Sequence, residues 1–133
     1  MHVLRLRTER RSELRDITRL VDEALAAAGA GEGVCHLFVP HTTAGLTVNE
    51  GADPDVAADI VAHLGRLAPA DAGYRHAEGN ADAHVKSVLA GPSLLLPVSR
   101  GRLRLGRWQA VFFCEFNGPR QREVWLTFLP AAP

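Results

Sequence analysis

Four short apolar runs follow one another in the last third of the chain, with only turn chemistry between them. They are Ser93 to Val98, Arg102 to Leu105, Gln109 to Phe116 and Arg122 to Leu129. The separators are Ser99-Arg100-Gly101, Gly106-Arg107 and Asn117-Gly118-Pro119-Arg120, rich in the residues that turns demand. Strands joined so briefly must return antiparallel, because a parallel neighbour needs a crossover of about a dozen residues or more. The spacing therefore predicts an antiparallel sheet in this third of the chain.

The first two thirds add further strands and helices. His2 to Arg7 alternates apolar and polar, as a half-covered strand does, and Ser12 to Ile17 reads as a second extended piece or as helix. Thr18 can cap a helix whose Leu20, Val21, Ala24, Leu25 and Ala28 share one face before Gly29 stops it. Val34 to Val39 is a buried strand ended by Pro40, and Ala44 to Val48 resumes as a strand with Asn49 and Glu50 at its far end. Asp53-Pro54 starts a second helix with Val56, Ile60, Leu64 and Leu67 facing inward. Asn80 caps a third, running to about Leu89, with Val85, Val88 and Leu89 inward and Gly91-Pro92 as its stop. The class is α+β: a sheet or sandwich core with two to three flanking helices.

Composition narrows the function classes. At 133 residues with no linker or repeat, the chain suits one domain spanning residues 1–133. Its formal net charge is zero, which disfavours a general nucleic-acid binder. No apolar run approaches the roughly 20 residues a bilayer crossing needs, and the N-terminus lacks a signal-peptide apolar core. The expectation is a cytoplasmic protein without membrane or nucleic-acid partners. Cys35 and Cys114 sit in apolar runs and read as small buried hydrophobes.

Three of the six histidines, His41, His76 and His84, lie in polar, turn-like stretches. Neutral imidazoles in such places can bind a metal or move a proton. With Asn80 as N-cap, His84 falls in the first helical turn, where the helix dipole disfavours the imidazolium and attracts anions. Arg75 and Lys86 are near in sequence, so phosphate is a natural ligand. Glu115 shares a strand face with Val111 and Phe113, and a carboxylate there needs a cation, a metal or a solvent opening. Arg120 or Arg122 could supply a salt bridge instead. Glu50 could sit on the rim opposite His41, or cap the helix near Asp53. Trp108 could stack on a ligand or pack at a turn.

Four segments together carry a family resemblance. Phe38-Val39-Pro40-His41-Thr42-Thr43-Ala44-Gly45-Leu46-Thr47-Val48-Asn49-Glu50 is the longest. The others are Tyr74 to Lys86, with Arg75-His76-Ala77-Glu78-Gly79-Asn80-Ala81-Asp82-Ala83-His84, then Gly101 to Gln109, and Cys114 to Arg120. The chain resembles the YjbQ family, uncharacterised protein family 0047, over nearly its whole length. That resemblance implies an antiparallel β-sandwich of jelly-roll character with flanking helices, assembled as a homotrimer. It also implies secondary thiamine-phosphate synthase activity, in which a hydroxymethylpyrimidine diphosphate joins a thiazole phosphate and pyrophosphate leaves. By motif position, His41, Glu50, His84 and Glu115 would be catalytic and His41, His76 and His84 would bind metal. Arg75, Asn80, Lys86 and Arg120 would hold phosphate.

A histidine-rich set suits zinc or another transition metal, whereas magnesium, the ion for a diphosphate leaving group, prefers oxygen. Familiar thiamine-phosphate synthases are TIM barrels of at least about 200 residues, so such an activity here needs a different scaffold. The alternative from another class is a trimeric module that binds a metal or small ligand without catalysis. A third reading is a structural trimer whose polar cluster specifies assembly.

Overall fold

The computed structural model describes residues 1–133. Eight strands and three helices follow in the order β1 (His2–Arg7), β2 (Glu13–Asp16), α1 (Thr18–Ala27), β3 (Gly33–Phe38), β4 (Ala44–Glu50), α2 (Pro54–Leu67), α3 (Ala81–Ala90), β5 (Ser93–Ser99), β6 (Arg102–Leu103), β7 (Gln109–Glu115) and β8 (Gln121–Pro130). The fold is α+β. A five-stranded sheet runs β1-β8-β3-β5-β6 and a three-stranded sheet runs β2-β7-β4. Every pairing is antiparallel.

The two sheets share one core. Leu4, Cys35, Leu37, Leu96, Val98, Val124 and Leu126 come from the larger sheet, and Ala44, Leu46, Val111 and Phe113 from the smaller; Val21 and Leu25 of α1 close one side. Strand β8 shows the period-2 pattern behind this: Arg122, Val124 and Leu126 are buried while the residues between them are only partly covered. Both cysteine thiols are free and buried, and burial pushes each up to about 12. No helix is long and apolar enough to cross a membrane.

The helices flank the smaller sheet and the core edge. Asp53 caps α2 as its spacing predicts, accepting the Asp55 N–H at 2.9 Å. No residue of α2 is fully buried, and Leu67 at its end is exposed. Thr18 is not the cap of α1 but its first residue. The Asp16 carboxylate accepts the Thr18 N–H, and the Thr18 hydroxyl accepts the Val111 N–H, tying the helix start to β7.

Helix α3 reverses the orientation that its apolar residues predict. Ala81, Asp82, Ala83 and Lys86 are buried, while Val85, Val88 and Leu89 are 42%, 82% and 56% exposed. The inward face is anchored by charge pairing and by close approach to β4. The Ser87 hydroxyl donates to the Ala44 carbonyl at 2.7 Å, and the Leu46 N–H donates to Gly91. A Cβ at Gly45 would lie 2.7 Å from the Gly91 carbonyl oxygen, so only glycine admits this approach.

Candidate functional site

The polar residues gather at the end of the smaller sheet where β4 starts and β7 ends. Their centre is an ion pair between the sheets, Glu115 of β7 with Arg122 of β8, both side chains 3% exposed or less. Arg122 Nε donates to Glu115 Oε1 at 2.9 Å, and its Nη2 donates to Glu115 Oε2. The Thr8 hydroxyl donates to Oε1 at 2.6 Å, and the Phe116 and Asn117 N–H groups donate to Oε2. Burial alone would raise the Glu115 pKa; bonds from Arg122 and Thr8 outweigh it and hold the carboxyl below its ordinary range. Every oxygen of Glu115 is thus occupied within the protein. The salt-bridge alternative is the one realised, with Arg122 rather than Arg120 as partner. Strand parity explains the choice, since Arg122 is in phase with Val124 and Leu126 and points inward.

Arg122 also shapes the His41 loop. Its Nη2 donates to the Thr43 hydroxyl at 2.9 Å. His41 Nε2 accepts the Glu123 N–H at 2.9 Å, so the neutral ring carries its proton on Nδ1. Burial first, then the Arg122 charge, pulls the His41 pKa below its usual value. Arg120 lies on this side too; its Nε donates to the Asn117 carbonyl at 2.8 Å and its head is exposed.

A second buried cluster, which the sequence reading missed, seats α3. Arg11 grips Asp82 with two bonds of 3.0 and 3.1 Å, and Lys86 Nζ donates to the same carboxylate at 2.8 Å. Burial would raise Asp82, but the bonds from Arg11 and Lys86 outweigh it and hold it at about 2. Lys86, expected to hold phosphate, is thus buried and paired with Asp82. The available signal was the Asp82/Lys86 spacing of four, which sets both on one helical face.

His76 and His84 do come together, their ring centroids 5.3 Å apart and edge to face. They line a cleft of about 400 Å³ with Tyr74, Arg75 and Ala81. Tyr74 braces the loop by donating its hydroxyl to the Pro69 carbonyl at 2.7 Å. Asn80 stands at the α3 N-cap but makes no capping bond, and its Oδ1 is buried without a partner. A larger cleft of about 650 Å³ runs beside α1, but its charges are occupied. There Asp22 accepts the Leu103 N–H and Arg19 pairs with Glu23.

His41 is not brought into one metal shell with His76 and His84, for no group of three or more His, Cys, Asp or Glu side chains is placed to hold an ion. Glu50 is separated from the cluster. It pairs with Gln109 at one end of β4 while Ala44 pairs with Glu115 at the other, roughly 20 Å away at the usual strand rise. Its carboxylate accepts the Ala52 N–H, and Asp53, not Glu50, caps α2. Trp108 is exposed at that far end, covered by the Arg107 guanidinium at 4.8 Å.

Residues 2–131 match the family model described as UPF0047 protein YjbQ-like. The UPF0047 protein YugU of Bacillus subtilis is 42% identical over 97% of this chain and 98% of its own. A UPF0047 protein of Methanocaldococcus jannaschii is 44% identical over 93% of this chain and 90% of its own. Among solved structures, an uncharacterised YjbQ/UPF0047 family protein from Clostridium acetobutylicum superposes with a TM-score of 0.93 at 42% identity, covering 97% of this chain and 100% of that one. A conserved hypothetical protein from Thermus thermophilus gives 0.92 at 52% identity with the same coverage. The folded core, the polar end and the matched sequence thus lead to one assignment: the chain belongs to the YjbQ-like UPF0047 family, whose function is uncharacterised.

Proposed function

We propose that the cleft at the start of α3 binds a phosphorylated small molecule together with a divalent metal, in a cytoplasmic homotrimer, and serves a reaction of the thiamine-phosphate synthase type. The observation that carries this reading is the facing pair His76 and His84 at the start of α3, where Asn80, the residue before the cleft-lining Ala81, keeps a buried side-chain Oδ1 without a partner. A buried acceptor without a partner costs free energy unless a donor or cation arrives. Two imidazoles and an amide oxygen fit a transition metal better than magnesium. Those three residues would hold the ion, which would supply charge neutralisation for a leaving diphosphate.

The protein's own groups divide the remaining work. Arg75 and the first-turn N–H groups of α3 attract phosphate oxygens. Arg11 and Lys86 act at a distance, by holding Asp82 and so fixing where His84 projects. Glu115, fully bonded inside the chain, keeps Arg122 and the His41 loop in place rather than meeting substrate.

Calorimetric titration with zinc, manganese or magnesium, then with each phosphorylated substrate, tests binding; release of pyrophosphate tests the chemistry. His84→Ala should weaken ligand binding at least tenfold and Arg75→Ala by several-fold, with the fold intact by circular dichroism. A folded His84→Ala protein that binds as tightly as the parent would place the site elsewhere. Binding without pyrophosphate release would leave a ligand-binding module without catalysis.

A further inference from the structure

We propose that the turn Gly106–Gln109 and the loop after β4 form a second ligand site, one that takes the heteroaromatic base of a nucleotide. Its stacking surface is Trp108, 57% exposed near the Glu50 end of β4. A lone exposed side chain of this kind is ordinary on a protein surface. Here the backbone that presents it is held from several sides. The Gly106 N–H donates to Gln109 Oε1 at 2.8 Å, and the Gln109 N–H donates back to the Gly106 carbonyl at 3.1 Å. The Gly51 N–H donates to the Trp108 carbonyl at 2.9 Å, in packing so close that a Cβ on Gly51 would lie 2.5 Å from that of Ala110. The Arg107 guanidinium lies over the indole, 4.8 Å from its centroid. One face of the ring is thereby covered and the other is left for a stacking partner, with little remaining to be ordered on binding.

The cleft beside the indole sets the class of ring. Its volume is about 290 Å³, at the small end of the roughly 300–1,000 Å³ of ligand pockets, which suits one ring system. It shares no residue with the His76/His84 cleft. Its lining carries one carboxylate, Asp16, and one guanidinium, Arg107, so charge favours a neutral polar ring over a bare anion or cation. Two hydrogen-bonding groups remain for the edge of that ring. Asp16 Oδ1 accepts the Thr18 N–H, which leaves Oδ2 as an acceptor. Gln109 Oε1 accepts the Gly106 N–H, which leaves the amide NH2 as a donor. A stacking surface with an acceptor and a donor beside it is how proteins read an unpaired base, whose edge offers an N–H next to a nitrogen or carbonyl acceptor. The small cleft and the zero net charge of the chain favour a free nucleotide over a strand.

Calorimetric titration of the full chain with cytidine monophosphate tests this, with ribose 5-phosphate as the ringless control. The parent should bind the nucleotide and not the sugar phosphate. Trp108→Ala should weaken binding about tenfold or more, the loss of one stacked base. Asp16→Asn keeps an oxygen for the Thr18 N–H but puts an NH2 where the base needs an acceptor, so it should weaken binding about fivefold or more. Circular dichroism checks that each variant is folded, and either one suffices for the test. A hexacytidylate should bind within about tenfold of the mononucleotide, as a cleft for one ring requires; tighter binding overturns the free nucleotide in favour of a strand. The site itself is overturned by a parent that binds neither probe or both alike, and equally by a folded variant of either kind that keeps the parent's affinity.

Discussion

Arg122→Ala is expected to destabilise the protein by about 3–5 kcal/mol, the cost of removing one partner from a buried ion pair. Glu115 would keep its bonds from Thr8, Phe116 and Asn117 but lose both from the guanidinium, leaving a carboxylate uncompensated between the two sheets. The Thr43 hydroxyl loses its donor as well, so the His41 loop loosens. For a chain of this size the melting temperature should fall by roughly 10–20 °C. Urea unfolding followed by circular dichroism measures the loss. The double variant Glu115→Leu/Arg122→Met should recover much of it, because no charge is then stranded. A loss under about 1 kcal/mol for Arg122→Ala would mean the pair is reached by water and is not buried as described.

Asp82→Ala should cost a similar amount, about 3–5 kcal/mol, by stranding the buried Lys86 ammonium and freeing Arg11. Its effect should be local first. Amide hydrogen exchange in α3 should accelerate more than in β3 or β8, because Asp82 is the charge that holds the helix inward side. Asp82→Ala/Lys86→Met should restore much of the loss, which a purely helix-propensity effect would not do. The wild-type pair also sets a pH response. The folded carboxyl is held at about 2 against an ordinary 3.8, so its contribution is complete above about pH 3.8 and is lost as pH falls toward 2. Glu115, also held below its ordinary value, adds in the same direction. A stability profile between pH 5 and 2 should therefore be shallower for the Asp82→Ala/Lys86→Met variant than for the parent. Parallel profiles would remove Asp82 from the acid response.

The strands were legible because their signals are local. Period-2 burial in β8, the turn residues between β5 and β8, and Pro40 after β3 each act within a few residues. The Asp53-Pro54 start of α2 is equally local, since cap and first turn are sequence neighbours. The α3 boundaries were readable for the same reason, but its orientation was not. Three apolar residues at helical spacing predict an inward face, whereas two charged residues on the other face found buried partners, Arg11 being 71 positions away from Asp82.

The candidate site divides along the same line. His76 and His84 sit on either side of one helix start, and nearness in sequence brings them together. His41, Glu50 and Glu115 were candidates by residue type, and their roles depend on which strands pair. Antiparallel pairing of β4 with β7 sets Ala44 beside Glu115 and sends Glu50 to the far end.

Alone, then, the amino-acid sequence determined the α+β class, the antiparallel strands, the helix starts and the polar segments that hold the histidines, because hydrophobic period and turn chemistry act over a few residues. Tertiary structure alone decided that Glu115 closes on Arg122, that Lys86 and Arg11 close on Asp82, and that α3 faces its apolar stripe outward. A buried charge must find its counter-charge wherever the fold has placed one, and that partner lies far away along the chain.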